Sequence, residues 1–208
     1  VGFMVDGATG HMEEEKERMV KTPWFDYDIP FSKAAEIGTQ KVISEHSTIG
    51  VVVTCDGSFT ELSPEEYNKA LDKTVKELTS INKPFVILVN SLDPKSPQCT
   101  KLRNEIAEKY QVSTIAVNCL KLNENDVNNI LENILFEFPI SEIVFNVPKW
   151  LEIMDLGHEL MKYIVGYSKE ILNKIVKIKD IKNIKLDPDS DFIKGASVSS
   201  VELSLIHI

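Results

Sequence analysis

Four short apolar runs of strand length recur along the chain, at residues 49–54, 85–90, 114–118 and 143–147. The first three are continuous and rich in β-branched residues, with no alternation of apolar and polar positions. Strands of that kind are buried on both faces of a parallel sheet, and helix-like segments lie between them here. The order therefore predicts an α/β domain with a mostly parallel sheet and flanking helices.

Apolar residues at helical spacing predict the intervening helices, with one stripe within residues 31–42 and another within 67–78. Residues 63–66 read Ser-Pro-Glu-Glu, which supplies an N-cap, a proline in the first turn and the glutamate of a capping box. Residues 123–126 predict a similar start for a later helix, which Pro139 ends.

A domain boundary is predicted near Pro148, because the run at 143–147 either pairs at a sheet edge or leads out of the domain. Residues 150–178 then read as one long helix that Gly157 and Gly166 weaken. This helix could lie on an anionic membrane or join a partner helix, but we interpret it as the first helix of a second domain. The predicted division is 1–147 for the first domain and 148–202 for the start of a second, α-containing domain.

The charge balance argues against a nucleic-acid partner. The 23 Lys and Arg residues face 32 Asp and Glu residues, a formal net charge of -9, which repels phosphate backbones. No apolar run approaches the roughly 20 residues needed to cross a bilayer, so we expect a cytoplasmic protein. The three cysteines have no metal-ligand spacing, and we expect them to be buried or half-buried.

Two strand ends carry candidate ligand-binding residues. Asn90-Ser91-Leu92-Asp93 stands where P-loop GTPases carry N-K-x-D to read the base, with serine in place of the lysine. Its alternative reading is a solvated turn, with Ser96-Pro97 capping the next helix. Asn118 begins a loop after the next strand, where such folds border the base. Ligands of open α/β sheets bind at this carboxyl edge, so these two candidates and the Val1-Gly2 segment considered next are expected to agree in location.

Two other segments contain residue types that could carry chemistry. Val1-Gly2 could end a D-x-x-G motif, whose glycine amide meets the terminal phosphate of a bound nucleotide. Residues 54–58 could hold a reactive cysteine or aspartate, but no activating partner is visible nearby, so we expect a tight turn. The histidines His11, His46 and His158 are expected to be surface or cap residues.

Several longer motifs are too specific for a generic nucleotide-binding domain. They lie at residues 18–20 (RMV), 22–25 (TPWF), 29–31 (IPF), 34–39 (AAEIGT), 46–50 (HSTIG), 83–85 (KPF) and 138–139 (FP). On these motifs the chain resembles the stage IV sporulation protein A family, most closely over residues 1–62, and residues 150–202 resemble the start of that family's middle domain.

The resemblance implies a P-loop ATPase domain that is GTPase-like and related to translation factors. It implies ATP and Mg²⁺ as ligands, and a cytoskeletal homopolymer that ATP hydrolysis assembles on the forespore surface, in the mother-cell cytoplasm, to found the spore coat. It also implies a small amphipathic membrane-anchoring peptide and spore coat proteins as partners, met through a C-terminal region that we expect to be absent here, so any membrane association would be indirect.

The family's site residues map onto few positions. Gly2 would be the glycine of D-x-V-G, Asn90 and Asp93 would lie on the base side of the nucleotide, and Asn118 would lie in the neighbouring loop. We expect the catalytic and magnesium-binding residues upstream of Val1, so the chain is expected to contain none of them and to be inactive alone. Residues 203–208 resemble a translated sequencing adapter and are left out of the fold prediction.

Two alternatives to the ATPase scaffold stay open at this point. The first is a nucleotide-independent module in which the fold serves self-assembly only. The second is a GTP-dependent switch, which Asn90 and Asp93 favour because they keep half of the guanine-reading motif.

Overall fold

A computed structural model describes residues 2–5, 10–13, 16–59, 62–186, 188, 193 and 195–202. Val1 and residues 203–208, on which two expectations fell, lie outside the described residues. The chain divides into two compact units, Val1–Phe138 and Pro139–Ile208. The boundary predicted at Pro148 lies within the second of these units.

The first unit opens with two hairpins and continues as alternating helices and strands. Its strands are β1 (Met12–Glu13), β2 (Lys16–Glu17), β3 (Met19–Thr22), β4 (Phe25–Pro30), β5 (Gly50–Cys55), β6 (Phe85–Asn90) and β7 (Thr114–Val117). Its helices are α1 (Phe31–Lys41), which runs into a π-helical turn at Val42–His46, α2 (Pro64–Ser80), α3 (Pro97–Tyr110) and α4 (Glu124–Phe136).

A parallel sheet of order β5-β6-β7 forms the centre of this unit. The register joins Gly50 to Phe85 and Cys55 to Asn90 in the first pair of strands, and Asn90 to Val117 in the second. Five of the six β6 residues are buried, as expected of an apolar strand with a neighbour on each side. The predicted α/β class, with a parallel sheet flanked by helices, is confirmed.

One expectation about this sheet is wrong. Strand β5 is not buried on both faces, because Val51 is 46% exposed and Val53 is 57% exposed. Helices α2 and α3 cover the face that carries Val52 and Ile87, and those side chains belong to the main hydrophobic core. Val51 and Val53 point to the opposite face, and β5 has one strand neighbour among the described residues.

The two hairpins were not predicted from the sequence. In the longer one, β3 pairs antiparallel with β4, and Trp24 in its turn packs against α1. A Cβ added to Gly38 would lie 3.2 Å from the indole Cη2, so the glycine lets the ring approach the helix closely. The Lys41 ammonium also lies 6.0 Å from the indole ring, within cation-π range.

The predicted helix starts are confirmed. Ser63 and Glu66 form a capping box at the start of α2, and Asn123 and Asp126 form one at the start of α4. At the C-terminal end of α1, the Lys83 ammonium donates to the carbonyl oxygen of Ile43 in the π-helical turn. A cation at this position satisfies carbonyl groups that the helix leaves unpaired.

Residues 143–147 form no strand, so of the two alternatives left open they do not pair at a sheet edge. The prediction of one long helix is wrong, because residues 150–178 form a 3₁₀ turn at Lys149–Ile153, then α5 (Glu159–Lys174) and α6 (Ile178–Asn183). Local hydrogen bonds explain the break. The Asp155 carboxylate accepts the Gly157 N–H at 2.7 Å, and His158 then caps α5 by accepting the Leu160 N–H at its Nδ1.

Two side-chain contacts tie the elements of the first unit together. Glu137, 1% exposed after α4, accepts both the backbone N–H and the hydroxyl of Ser113, each at 2.7 Å. On α2, Asp72 accepts the Lys109 ammonium at 2.8 Å and also the Tyr110 hydroxyl. These hydrogen bonds from Lys109 and Tyr110 lower the pKa of Asp72.

Replacing Glu137 with Ala should loosen β7. The substitution leaves the buried Ser113 N–H without this acceptor, a loss of about 2 kcal/mol in local stability. Hydrogen exchange of peptides that cover β7 and α4, measured in the full-length gene product, would report it as faster exchange. Glu108→Ala, on the exposed face of α3, is the matched control. Equal exchange in both variants would contradict the expectation.

Asp72 should stabilise the protein in a pH-dependent way. Because its folded pKa lies below the ordinary value of 3.8, its contribution is present above 3.8 and is lost as the pH falls through the folded pKa. The pair is partly exposed, so we expect less than about 1 kcal/mol at neutral pH. The gap in thermal midpoint between wild type and Asp72→Asn should therefore shrink below about pH 5, the region in which this carboxyl begins to protonate in the unfolded chain. Tyr110→Phe should show part of the effect, and a gap that is constant with pH would refute it.

Candidate functional site

Three loops leave the parallel sheet at the same level. The register places Cys55, Asn90 and Val117 side by side at the carboxyl ends of β5, β6 and β7. Backbone bonds continue across this edge, from the Asp56 N–H to the Asn90 carbonyl at 3.3 Å and from the Ser91 N–H to the Val117 carbonyl at 2.9 Å. In open α/β sheets, this edge is where ligands bind.

Asn90 links two of these loops. Its side-chain Oδ1 accepts the backbone N–H of Cys119 at 3.0 Å, so the amide holds the loop after β7 against the end of β6. The contact ties two neighbouring strand-end loops together. A contact of Asn90 with a nucleotide stays a prediction.

Asp93 lies in an exposed turn that leads into α3. Its Oδ1 accepts the Lys95 N–H at 3.2 Å, and its own N–H donates to the Ser91 hydroxyl at 3.1 Å. Ser96 then caps α3 by accepting the Cys99 N–H, as predicted. The geometry thus contains the predicted turn and also leaves the Asp93 carboxylate on the surface, where it can meet a ligand.

Ser91 shows why this loop differs from the guanine-reading motif. It stands where GTPases carry the lysine whose stem packs on the base, yet it is 1% exposed. The side chain points into the protein, and its hydroxyl accepts the Asp93 N–H. A residue in this orientation cannot cover a base at the surface. The next residue, Leu92, has a side chain that is 57% exposed.

Asn118 approaches the same residue from the third loop. Its Nδ2 donates to the carbonyl oxygen of Leu92 at 3.2 Å, and its Oδ1 accepts the Leu120 N–H at 3.1 Å. From the first loop, the Ser58 hydroxyl accepts the Leu92 N–H at 2.9 Å. Both backbone groups of Leu92 are therefore held by side chains of neighbouring loops, an arrangement we call the Leu92 clamp.

The sequence reading expected only a tight turn at residues 54–58, and a tight turn is present. Gly57 adopts a φ of +87°, and a Cβ there would lie 3.2 Å from the carbonyl oxygen of Leu62. The Asp56 Oδ1 accepts the Ser58 N–H at 3.0 Å and the Ser58 hydroxyl at 2.5 Å. Partial burial would raise the pKa of Asp56, but the hydrogen bonds from Ser58 and Ser91 outweigh it, and the pKa is lowered. The carboxylate is thus held ionised.

The cysteines near this edge are poor nucleophiles. Burial raises the pKa of the Cys99 thiol, which is fully inaccessible, and also that of Cys119. A thiol with a raised pKa is mostly protonated at neutral pH. Cys55 and Cys99 are buried and Cys119 is half-buried, and all are free, as the composition predicted.

Gly2 lies in a different setting from the other three predicted residues. It lines a cavity of about 240 Å³ beside β5, whose lining includes Val51, Val53 and Thr39 but not Asn90, Asp93 or Asn118. A Cβ added to Gly2 would meet no atom within 4 Å. The role predicted for its amide at the terminal phosphate stays a prediction.

The described residues contain no preformed cluster of metal ligands. Across the ranges that the structure describes, no group of three or more His, Cys, Asp or Glu side chains is placed to hold a metal ion. The same ranges contain no helix with the length and apolar character needed to cross a bilayer. What they do contain is a group of polar side chains at the carboxyl edge of the sheet, Asn90, Asp93 and Asn118, where a ligand is predicted to bind.

An α/β domain with a ligand rim at the carboxyl edge of a parallel sheet is the class that fold and site define. A profile described as "Stage IV sporulation protein A, ATPase domain" matches residues 1–139, and one described as that protein's middle domain matches residues 140–205. The chain belongs to the stage IV sporulation protein A family, as its motifs predicted.

Curated relatives agree with this assignment. Proteins named Stage IV sporulation protein A from Clostridioides difficile (strain 630), Bacillus anthracis and Bacillus subtilis (strain 168) are 40%, 38% and 36% identical to the chain. Each match covers 98% of this chain and 42% of the relative, so the chain spans less than half of their length. No solved structure matches the chain significantly.

Asn90→Ala should release the loop after β7. Without the Oδ1 acceptor, the Cys119 N–H should exchange about tenfold faster, the effect of losing one hydrogen bond of ordinary strength. Hydrogen exchange resolved to residues 117–121 in the full-length gene product measures this. Asn90→Asp keeps an acceptor and should stay protected, while Asn104→Ala on α3 serves as control. Unchanged exchange in Asn90→Ala would refute the link.

Proposed function

We propose that the full-length gene product hydrolyses ATP in the presence of Mg²⁺, and that the nucleotide base meets the rim formed by Asn90, Asp93 and Asn118. The observation that carries this proposal is the match of residues 1–139 to an ATPase domain whose parallel strands end at one linked edge. The proposed fold is that of a GTPase-like P-loop domain related to translation factors. Such domains bind nucleotide at the same edge of the sheet.

In this proposal, the described residues contribute to binding of the base and not to transfer of the phosphoryl group. An exposed carboxylate such as Asp93 accepts hydrogen bonds from the N–H groups of a purine edge. The phosphate grip and the magnesium ligands are proposed to come from residues other than those described, as the resemblance to P-loop domains implies. Mg²⁺ bound to the phosphates would neutralise charge that develops during phosphoryl transfer.

The choice of ATP over GTP rests on Ser91. A guanine reader needs the lysine stem over the ring as well as the carboxylate, and here that position is occupied by an inward, 1% exposed serine. The exposed Leu92 and Leu120 side chains offer apolar surface beside Asp93, which favours a purine face without distinguishing its edge. Asp93 is the feature that favours the second candidate, a GTP-dependent switch.

We further propose that this activity drives homopolymer assembly on the forespore surface, from the mother-cell cytoplasm, as the foundation of the spore coat. Support comes from the family membership and from the sporulation name of the curated relatives. A small amphipathic membrane-anchoring peptide and spore coat proteins are the proposed partners, with membrane association through them. The alternative is a module that self-assembles without nucleotide. A measurement of nucleotide binding distinguishes this module from the ATP-driven scaffold.

Competition between nucleotides tests the choice of base. The assay uses the full-length gene product with Mg²⁺ and a bound fluorescent ATP analogue. Excess ATP should displace the analogue, and GTP should do so only at a concentration about tenfold higher or more. This ratio corresponds to the free energy of one hydrogen bond to the purine edge. Asp93→Ala should weaken both, and Asp26→Ala, an exposed carboxylate on β4, is the matched control. If GTP displaces the analogue at a lower concentration than ATP does, and Asp93→Ala abolishes that preference, the protein is a GTP-dependent switch instead. Absence of any nucleotide binding would favour the self-assembly module.

A further inference from the structure

We propose that Asp56 and Ser58 are positioning residues for nucleotide binding, which hold the Asp93 loop in the conformation that meets the base. Neither residue is expected to touch the nucleotide. The inference rests on the proposed function, and it assigns a role to a turn that the sequence reading treated only as a tight connection. The geometry that supports it runs from the end of β5 to the loop after β6.

Asp56 lies beside two serine hydroxyl groups. Its carboxylate accepts the Ser58 hydroxyl at 2.5 Å, and the nearby Ser91 hydroxyl contributes to lowering its pKa. A serine hydroxyl has one proton to donate, and donation to a carboxylate leaves its lone pairs free to accept. Each of the two serines uses that capacity on the same loop, Ser58 for the Leu92 N–H and Ser91 for the Asp93 N–H.

The consequence is that two successive backbone N–H groups of the Asp93 loop are held by serine hydroxyls, and one of these serines, Ser58, donates to the Asp56 carboxylate. Hydrogen bonds with an ionised partner are roughly twice as strong as neutral ones. The Leu92 clamp adds the Asn118 amide on the Leu92 carbonyl. Because the Leu92 and Asp93 side chains are exposed, surface packing alone would not hold this loop in place.

Such an arrangement is typical of a preorganised binding loop. A loop that is already ordered before the ligand arrives loses less conformational entropy on binding, so its affinity is higher with no added contact. We call the hydrogen bonds that Asp56, Ser58 and Ser91 make around this loop the brace. The brace acts on the binding of the base and not on the transfer of the phosphoryl group, which occurs at the other end of the nucleotide. It should therefore change KM and leave kcat almost unchanged.

The test measures ATP hydrolysis by the full-length gene product. Ser58→Ala should raise KM about tenfold, the loss expected for one charge-assisted pair of hydrogen bonds, while kcat stays within about twofold. Ser58→Thr restores the hydroxyl and should bring KM back near the wild-type value. Asp56→Asn keeps the side-chain volume but removes the charge, so it should give an intermediate KM. Ser200→Ala, in the exposed C-terminal residues, is the matched control.

Hydrogen exchange of Leu92 and Asp93 without nucleotide provides a second readout, and Ser58→Ala should speed it. An unchanged KM in Ser58→Ala, an equal fall in kcat, or a failure of Ser58→Thr to rescue would each overturn the positioning role while leaving the ATPase intact. If the wild-type protein turns over no nucleotide, the proposed function itself is overturned, and the exchange data then report the brace as structural only.

Discussion

The parallel pairing of β5, β6 and β7 is the constraint on which the rest of the first unit depends. Because the register aligns Cys55 with Asn90 and Asn90 with Val117, three loops begin at one level of the sheet. That alignment brings polar side chains from distant parts of the sequence within hydrogen-bond distance. The buried apolar strand β6 fixes the register, since a shift by one residue would turn its core side chains to the wrong face.

The polar contacts at the carboxyl edge depend on the alignment of β5, β6 and β7, and they contribute little to the packing of the hydrophobic core. Asn90, Asn118 and Ser58 each bridge from one loop to the backbone of another. Such bonds cost conformational entropy if the loops must be brought together first, and the sheet has already done so. The site is therefore built by main-chain geometry and refined by a few amide and hydroxyl groups.

The sequence predicts the parts of this structure that depend on local pattern. The runs at β5, β6 and β7, the capping boxes at Ser63 and Asn123, and Asn90 and Asp93 as strand-end residues could all be read directly. The hairpin of β1 and β2 could not, because its strands have two residues each. The hairpin of β3 and β4 was missed although the alternation of apolar and acidic residues in β4 is a strand signal. The single helix predicted after Trp150 is wrong since the Asp155 carboxylate bonds the Gly157 N–H. Ser58 was missed because its partner, Leu92, is separated from it along the chain.

The inward position of Ser91 limits how this loop can change over evolution. Placing lysine there in a single step would bury an ammonium group and its four-carbon stem where a small hydroxyl now fits, and would remove the acceptor for the Asp93 N–H. The loop would have to be rebuilt together with Asp56 before a guanine-reading side chain could reach the surface. Under the proposed function, a change of base preference would therefore require several coordinated substitutions and not one.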